Sequence, residues 1–418
     1  MNNSSAILAD REYKSNLIKS LANKSDLISV KANIPGPDKR IKESFLIVRH
    51  FTDELAERYG AKPAFLDGED GICAVIPAVG NDLKQIAINL EEGCPIGRFA
   101  DLDVYIKGGE HSLSRGHMRK CFICDREAFV CARQGNHTLE ELLGAIKKGV
   151  REYFSARLYE IIEQSLKLEL DLEDKFGLVT PTSKGSHPDM DYGTMCSSHG
   201  AIIPRLVEMF WIGFDEESPE NLLKKLRPIG RKAEEEMFSA SKVNTYKGFI
   251  FVCGIIVAAT GHLLSTGRGE YTAISEIVKR MCKGITHELE GEGNTFGMTA
   301  YRNYSFTGVR GHAEKGFESV FKAEKLIDDN FSSDSLLAAL TNTVGDIEDT
   351  VLLKRSASLE KYNYFRNAIQ SVDISDKRRL KLLNGECIKN GISIGGSADV
   401  LVCAIMLKKL RKLWYFDK

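Results

Sequence analysis

Apolar positions recur at helical spacing through most of the chain and at strand spacing in a few places near its start. Residues 10 to 24 read as a helix. Leu27 to Asn33 alternates as a strand and stops at the turn Ile34-Pro35-Gly36-Pro37. Phe45, Val48, Phe51 and Leu55 predict one buried face of a helix over 41–59. Gly71 to Val79 reads as a buried strand, Leu83 to Leu90 as a helix and Phe99 to Ile106 as a further strand. Lys107-Gly108-Gly109-Glu110 is expected to turn the chain into another strand arm. This pattern predicts a small α/β (α+β) domain over residues 1–152.

From there the helical period takes over. Thr138 and Glu141 form a T-x-x-E capping box. Apolar residues then recur from Leu139 to Leu166 without proline or a flexible run, so a helix is expected to cross residue 152 unbroken. No proline follows Pro228, which suits helix interiors. Ser218-Pro219 predicts a helix start. Further helices are expected at 319–328, 333–344, 357–369, 376–389 and from Gly395 onward. Residues 153–418 therefore read as an all-α, many-helix domain. Gly248 to Leu264 is apolar enough to raise a membrane question, but it is short and diluted by Gly254, Gly261, Thr260 and His262; a buried core helix is expected.

Composition adds boundaries. The 418 residues carry a net charge of −1, which does not point to nucleic acid or an anionic membrane. Ten scattered cysteines suggest reduced thiols in the cytoplasm. The first residues lack the apolar run of a secretory leader.

The polar clusters bring in chemistry. Asp101 and Asp103 sit two apart on a predicted strand, so their carboxylates share a face, which alone reads as the polar side of a half-buried strand and with other clusters suits Mg²⁺. Arg98 and Arg115 are placed to steady a triphosphate. Cys121, Cys124, Cys131 and His137 have a spacing that could hold zinc, but its second half is irregular; buried thiols without metal are the preferred reading. Gly185 to Asp191 packs Ser186, His187, Asp189 and Asp191 together. With Pro188 in a first helical turn, Ser186 or His187 would lie near an N-cap. Asn244, Thr245 and Lys247, then Arg310 with Glu314, then Asp349, then Gly395, Gly396 and Ser397 are further clusters at expected helix ends. Singly each is a cap or a turn; together they suit a nucleoside triphosphate with Mg²⁺.

Two resemblances follow from ordered motifs. I-P-G-P, G-R-x-x-D-L-D-V, S-R and R-x-C-x-x-C resemble the citrate lyase holo-acyl-carrier-protein synthase, the phosphoribosyl-dephospho-CoA transferase. That likeness implies a nucleotidyltransferase-like fold using Asp101 and Asp103. G-L-V, G-S-H-x-D-M-D, A-E-x-x-M, N-T-x-K-G, R-G-x-A-E-x-G-F, D-T and G-G-S-A-D are similar to triphosphoribosyl-dephospho-CoA synthase. The chain departs at Thr180-Pro181, where that family has Asp-Arg, at Tyr246, where it has His, and at Val351, where it has Asn. The resemblance implies a bifunctional enzyme acting on ATP and dephospho-CoA, then on a serine of the acyl carrier (gamma) subunit of citrate lyase. Asp189 or Asp191 would serve as metal ligand or base, Glu314 and Asp349 as metal contacts, and Lys247 and Arg310 as triphosphate ligands. Three other readings stay open: the same chemistry for malonate decarboxylase, a non-catalytic maturation factor, or a nucleosidase or ADP-ribosyl hydrolase.

Overall fold

A computed structural model describes residues 3–267 and 269–416. The chain forms two compact units. The first runs to Arg157 and takes in residues 264–269 and 411–418; the second comprises 158–263 and 270–410.

The first unit contains α1 (Asn3–Ala22), β1 (Leu27–Ala32), α2 (Lys42–Tyr59), β2 (Ala64–Leu66), β3 (Cys73–Pro77), α3 (Leu83–Gly93), β4 (Ala100–Tyr105), α4 (Ala128–Arg133) and the start of α5 (Leu139–Leu170). The strands form an antiparallel sheet in the order β2-β3-β1-β4. Strand alternation decides what each face does. Ile28, Val30, Leu102 and Val104 are buried on one side, as are Phe45, Leu46, Val48, Phe51 and Leu55 of α2. On the other side Leu27, Cys73 and Val75 pack with Ile18 and Ala22 of α1. That second face also carries Asp101 opposite Lys31 and Asp103 opposite Ser29.

Two distant segments complete this unit. Arg49 donates from Nη1 to the Tyr415 carbonyl (2.8 Å) and from Nη2 to that of Gly267 (2.9 Å). Trp414 is buried with its ring centroid 4.9 Å from that of Phe154.

The structure corrects the expected strand arm after residue 107. Residues 106–127 form turns with one isolated bridge, Lys120 to Glu127. Arg115 and Arg119 of this segment reach back to the buried acid Glu91. The short strand β2 has only three residues, too few for a readable period.

The helix α5 is continuous from Leu139 to Leu170 and opens on the expected box, with Thr138 N–H donating to Glu141 (2.7 Å) and Glu141 N–H to Thr138 Oγ1 (3.2 Å). The second unit follows with α6 (Tyr192–Asp215), α7 (Pro219–Ser241), α8 (Lys247–Ser265), α9 (Ala273–Met281), α10 (Phe296–Tyr304), α11 (Gly308–Glu314), α12 (Glu318–Leu326), α13 (Ser333–Asp346), α14 (Thr350–Ser356), α15 (Leu359–Gln370), α16 (Lys377–Lys389) and α17 (Gly395–Leu410). Helix α8 is long and apolar enough to cross a membrane, but 89% of its apolar window is buried among the other helices. It is a core helix of this unit.

Pro188 does not start a helix. α6 begins four residues later, because Asp191 takes the N-cap in a reciprocal box with Thr194. A capping carboxylate outcompetes a proline whose neighbours Ser186 and His187 are held elsewhere.

The crossing of α6 and α8 depends on Gly213. A Cβ there would penetrate the carbonyl of Ala258. Gly213→Ala should therefore lower stability by about 1–3 kcal/mol through overpacking. The expected drop in thermal midpoint is read by calorimetry; an unchanged melt would contradict the packing.

Candidate active sites

In the second unit, residues at the starts of α8, α10, α11, α14 and α17 line one cleft of about 1130 Å³. Caps decide what each start offers. Glu348 accepts the Thr307 and Gly308 N–H groups (2.7 and 3.2 Å), which satisfies α11. Asp349 accepts Val351 and Leu352 N–H on Oδ1 (2.9 and 3.0 Å). Its Oδ2 accepts the N–H and hydroxyl of Ser397 (2.8 and 2.9 Å). Thr295 caps α10 through Met298 N–H (3.4 Å). The start of α8 has no acidic residue in its first turn, and Lys247 is its first residue. The helix dipole and the Lys247 cation there both attract anions.

Cations face the same cleft. Lys247, Arg310, Lys354 and Arg355 all line it. Lys247 pairs with Glu234 (2.7 Å) and Arg310 with Glu288 (3.2 Å), both partly exposed. Such pairs are weak and exchange readily for a polyphosphate. Arg355 donates to the Ser186 carbonyl (3.2 Å) and reaches His187 Nδ1 (3.0 Å). His187 Nε2 meets Ser393 Oγ (2.9 Å), and Ser186 Oγ donates to the Ile392 carbonyl. Burial, with the Arg355 guanidinium beside it, pulls His187 down to about 4.

Asp399 is the chemically distinctive group. It lines the cleft one turn into α17. Burial, then the charges of Asp349 and Glu169, push its carboxyl well above the ordinary range. A Cβ on Gly248 would overlap Asp399 Oδ2, so the glycine of N-T-x-K-G admits this carboxylate against α8. Glu169 also lines the cleft, but its carboxylate is held by buried Lys175 (2.8 Å).

The sequence-predicted residues divide accordingly. His187, Asn244, Thr245, Lys247, Arg310 and Gly395 line the cleft. Ser186, Gly396, Ser397 and Asp349 lie in the polar framework behind it: Ser397 is bonded to Asp349, and a Cβ on Gly396 would come within 2.9 Å of the same carboxylate. Asp189 is exposed and Asp191 caps α6; neither lines the cleft. Glu314 accepts Gly284 N–H and Thr286 Oγ1 (both 2.6 Å), holding the turn Ile285–Leu289. Asp399 was the residue to find from G-G-S-A-D, where it stands beside the predicted glycines and serine. Tyr246, at the position of a family histidine, is buried and its hydroxyl meets His199 Nε2 (2.9 Å).

The first unit places Asp101 and Asp103 half-buried on one face of β4, as the alternation predicts. Asp101 pairs with Arg119 (2.6 Å). Burial, then Asp101, raises the Asp103 carboxyl, against Lys84 and Lys31. Buried Glu91 accepts the Leu102 N–H (2.8 Å) and holds both Arg115 and Arg119. A cleft of about 580 Å³ beside it is lined by Arg98, Arg115, His117, Arg119 and Lys120. Neither aspartate lines that cleft; Arg119 joins the two. The structure also brings Cys121, Cys124, Cys131 and His137 together.

Comparison with known proteins decides the assignment. Residues 155–418 match the family model for ATP:dephospho-CoA triphosphoribosyl transferase, and residues 3–153 that for apo-citrate lyase phosphoribosyl-dephospho-CoA transferase. The protein CitXG of Leuconostoc mesenteroides is 30% identical over 97% of this chain and 96% of its own length.

The chain belongs to the CitXG family.

A second CitXG, from Haemophilus influenzae, is 30% identical over 81% of this chain and 79% of its own. The 2-(5''-triphosphoribosyl)-3'-dephosphocoenzyme-A synthase of Haemophilus ducreyi is 32% identical over 69% and 99% respectively. This CitXG-family chain is thus a fused, bifunctional transferase of citrate lyase maturation.

Two histidines give its second unit a pH signature. His187 and His199 are both held down to about 4, burial being the first cause in each, against 6.5 when unperturbed. The unfolded chain then binds more protons between those values, so stability present above about pH 6.5 is lost as pH falls through that window. His199→Gln should flatten the fall in melting temperature between about pH 7 and 4.5. A slope identical to wild type would contradict a buried neutral His199.

Proposed function

We propose that the second unit makes 2'-(5''-triphosphoribosyl)-3'-dephospho-CoA in the cleft at the start of α8, and that the first unit transfers it to a serine of the citrate lyase acyl carrier subunit in the cytoplasm. The observation that supports the first step most strongly is one cleft holding a helix start with no acidic residue in its first turn, four cations and a carboxyl with a raised pKa.

The triphosphate of ATP lies at the α8 N-terminus, with Lys247 and Arg310 exchanging their carboxylate partners for phosphate oxygens. Asp399 takes the proton of the dephospho-CoA ribose 2'-hydroxyl as that oxygen bonds C1' of the ATP ribose. The C1'–N9 bond breaks, and adenine takes a proton from solvent as it leaves, balanced when Asp399 releases to solvent the proton it took. Lys247 and Arg310 keep the triphosphate on the product. The neutral His187 positions Arg355 rather than adding charge. An adjoining crevice of about 450 Å³, lined by Met209, Leu223, Leu226, Ile250, Phe251 and Ile255, suits the pantetheine arm.

In the transfer step the carrier serine oxygen bonds the α-phosphorus and pyrophosphate leaves. Arg98 and Arg115 with Arg119 face the departing phosphates. The donor set on β4 fits a hard divalent cation: two carboxylates share a face, and Ser29 Oγ opposite Asp103 is buried without a hydrogen-bond partner. Asp101 and Asp103 would hold Mg²⁺, which supplies charge neutralisation at the phosphates. A nucleotidyltransferase-like fold is part of this proposal. The apo-citrate lyase match over residues 3–153 favours that carrier over the one of malonate decarboxylase.

Asp399→Asn should cut adenine release from ATP plus dephospho-CoA by roughly 10²–10⁴-fold in a folded protein. Near-normal release would remove Asp399 from the chemistry, and ribose triphosphate formed without dephospho-CoA would favour a hydrolase. Asp101→Asn should block carrier labelling, by about 10²-fold or more, yet leave adenine release intact. Loss of both activities together would show that the two steps are not separable as proposed.

A further inference from the structure

We propose that Cys121, Cys124, Cys131 and His137 bind one structural zinc ion. Their sulfur and nitrogen atoms all lie within 4.8 Å of one another. Cys124 Sγ is 3.9 Å from Cys131 Sγ, and His137 Nε2 is 3.4 Å from Cys124 Sγ. A tetrahedral zinc with Zn–S of about 2.3 Å and Zn–N of about 2.0 Å requires S···S edges of about 3.8 Å and N···S edges of about 3.5 Å. Two of the six edges thus already have these lengths, and the others lie within 4.8 Å. A disulfide is not the explanation, since its sulfurs stand about 2.05 Å apart, and all ten cysteines are free.

The surroundings suit three thiolates and one imidazole around a divalent ion. Cys121 and Cys131 are buried, which excludes competing water. The set carries one net negative charge with zinc bound. Arg98 answers it, donating to the Cys121 and Phe122 carbonyls (3.4 and 3.1 Å), and Arg119 and Lys120 line the same small cavity as Cys121, Cys131 and His137. Four protein ligands close the site, which makes it structural rather than catalytic.

Its position gives it a task. The segment 106–127 has no strand of its own. It is tied locally by Cys121 N–H to the Arg126 carbonyl (2.8 Å) and Ala128 N–H to that of Arg119 (2.7 Å). Arg119, two residues before the first ligand, holds Asp101 and the Ala100 carbonyl (2.6 and 2.9 Å). Zinc fixes this loop and, through Arg119, the face of β4. The metal content stands independently of the transferase reading; the effect on transfer rests on it.

The test is elemental analysis of the full-length chain purified under reducing conditions without added metal, followed by chelator release and Co²⁺ replacement. About one zinc per chain is expected, with thiolate-to-cobalt charge-transfer bands on replacement. Cys124→Ser and His137→Ala should lose the metal; Cys196→Ser should keep it. Stripping zinc from wild type should abolish carrier labelling while adenine release continues. Reduced wild-type protein that holds no zinc and gives no cobalt bands would overturn the proposal, which does not depend on any variant folding. Zinc retained in both ligand variants would overturn the ligand set, and full labelling after stripping would overturn the positioning role.

Discussion

Asp349 is the constraint on which the second unit's cleft depends. One buried carboxylate receives the first amides of α14 on one oxygen and the amide and hydroxyl of Ser397, at the start of α17, on the other. Four donors offset the cost of burying it, although burial still raises its pKa. Because both helix starts share this anchor, Thr350, Val351, Gly395 and Asp399 are brought to one cleft. Asp399 lies near enough to feel the charge of Asp349. The same residue therefore builds the site and helps tune the group proposed to do its chemistry.

Glu91 has the corresponding place in the first unit. Buried beneath β4, it accepts the Leu102 amide and holds Arg115 and Arg119. The sheet presents two carboxylates, and Glu91 collects the arginines that flank them. In both units a buried acid organises cationic or amide groups, and a different acid is the one proposed to meet substrate.

The fold was legible where periodicity is long or caps are strong. The amphipathic α2, the T-x-x-E start of α5 and the Ser218-Pro219 start of α7 follow from pattern alone. The three-residue β2 was too short to show a period, and the turns of 106–127 were not legible because their order comes from side chains reaching distant residues. The acidic clusters show the same limit. Sequence places Asp189, Asp191, Glu314 and Asp349 at helix ends without saying whether each faces ligand or backbone. The structure gives Asp191, Glu314 and Asp349 to caps and turns. Asp399 differs because it stands a full turn inside its helix, where no cap requires it.

The central claim is that ATP binds with its triphosphate at the start of α8. Hydrogen–deuterium exchange of the full chain with and without ATP tests it most directly. The account predicts slowed exchange over residues 244–250, with weaker protection over 307–311 and 350–355. Unchanged exchange at 244–250, with ATP bound as judged by equilibrium dialysis, would contradict it.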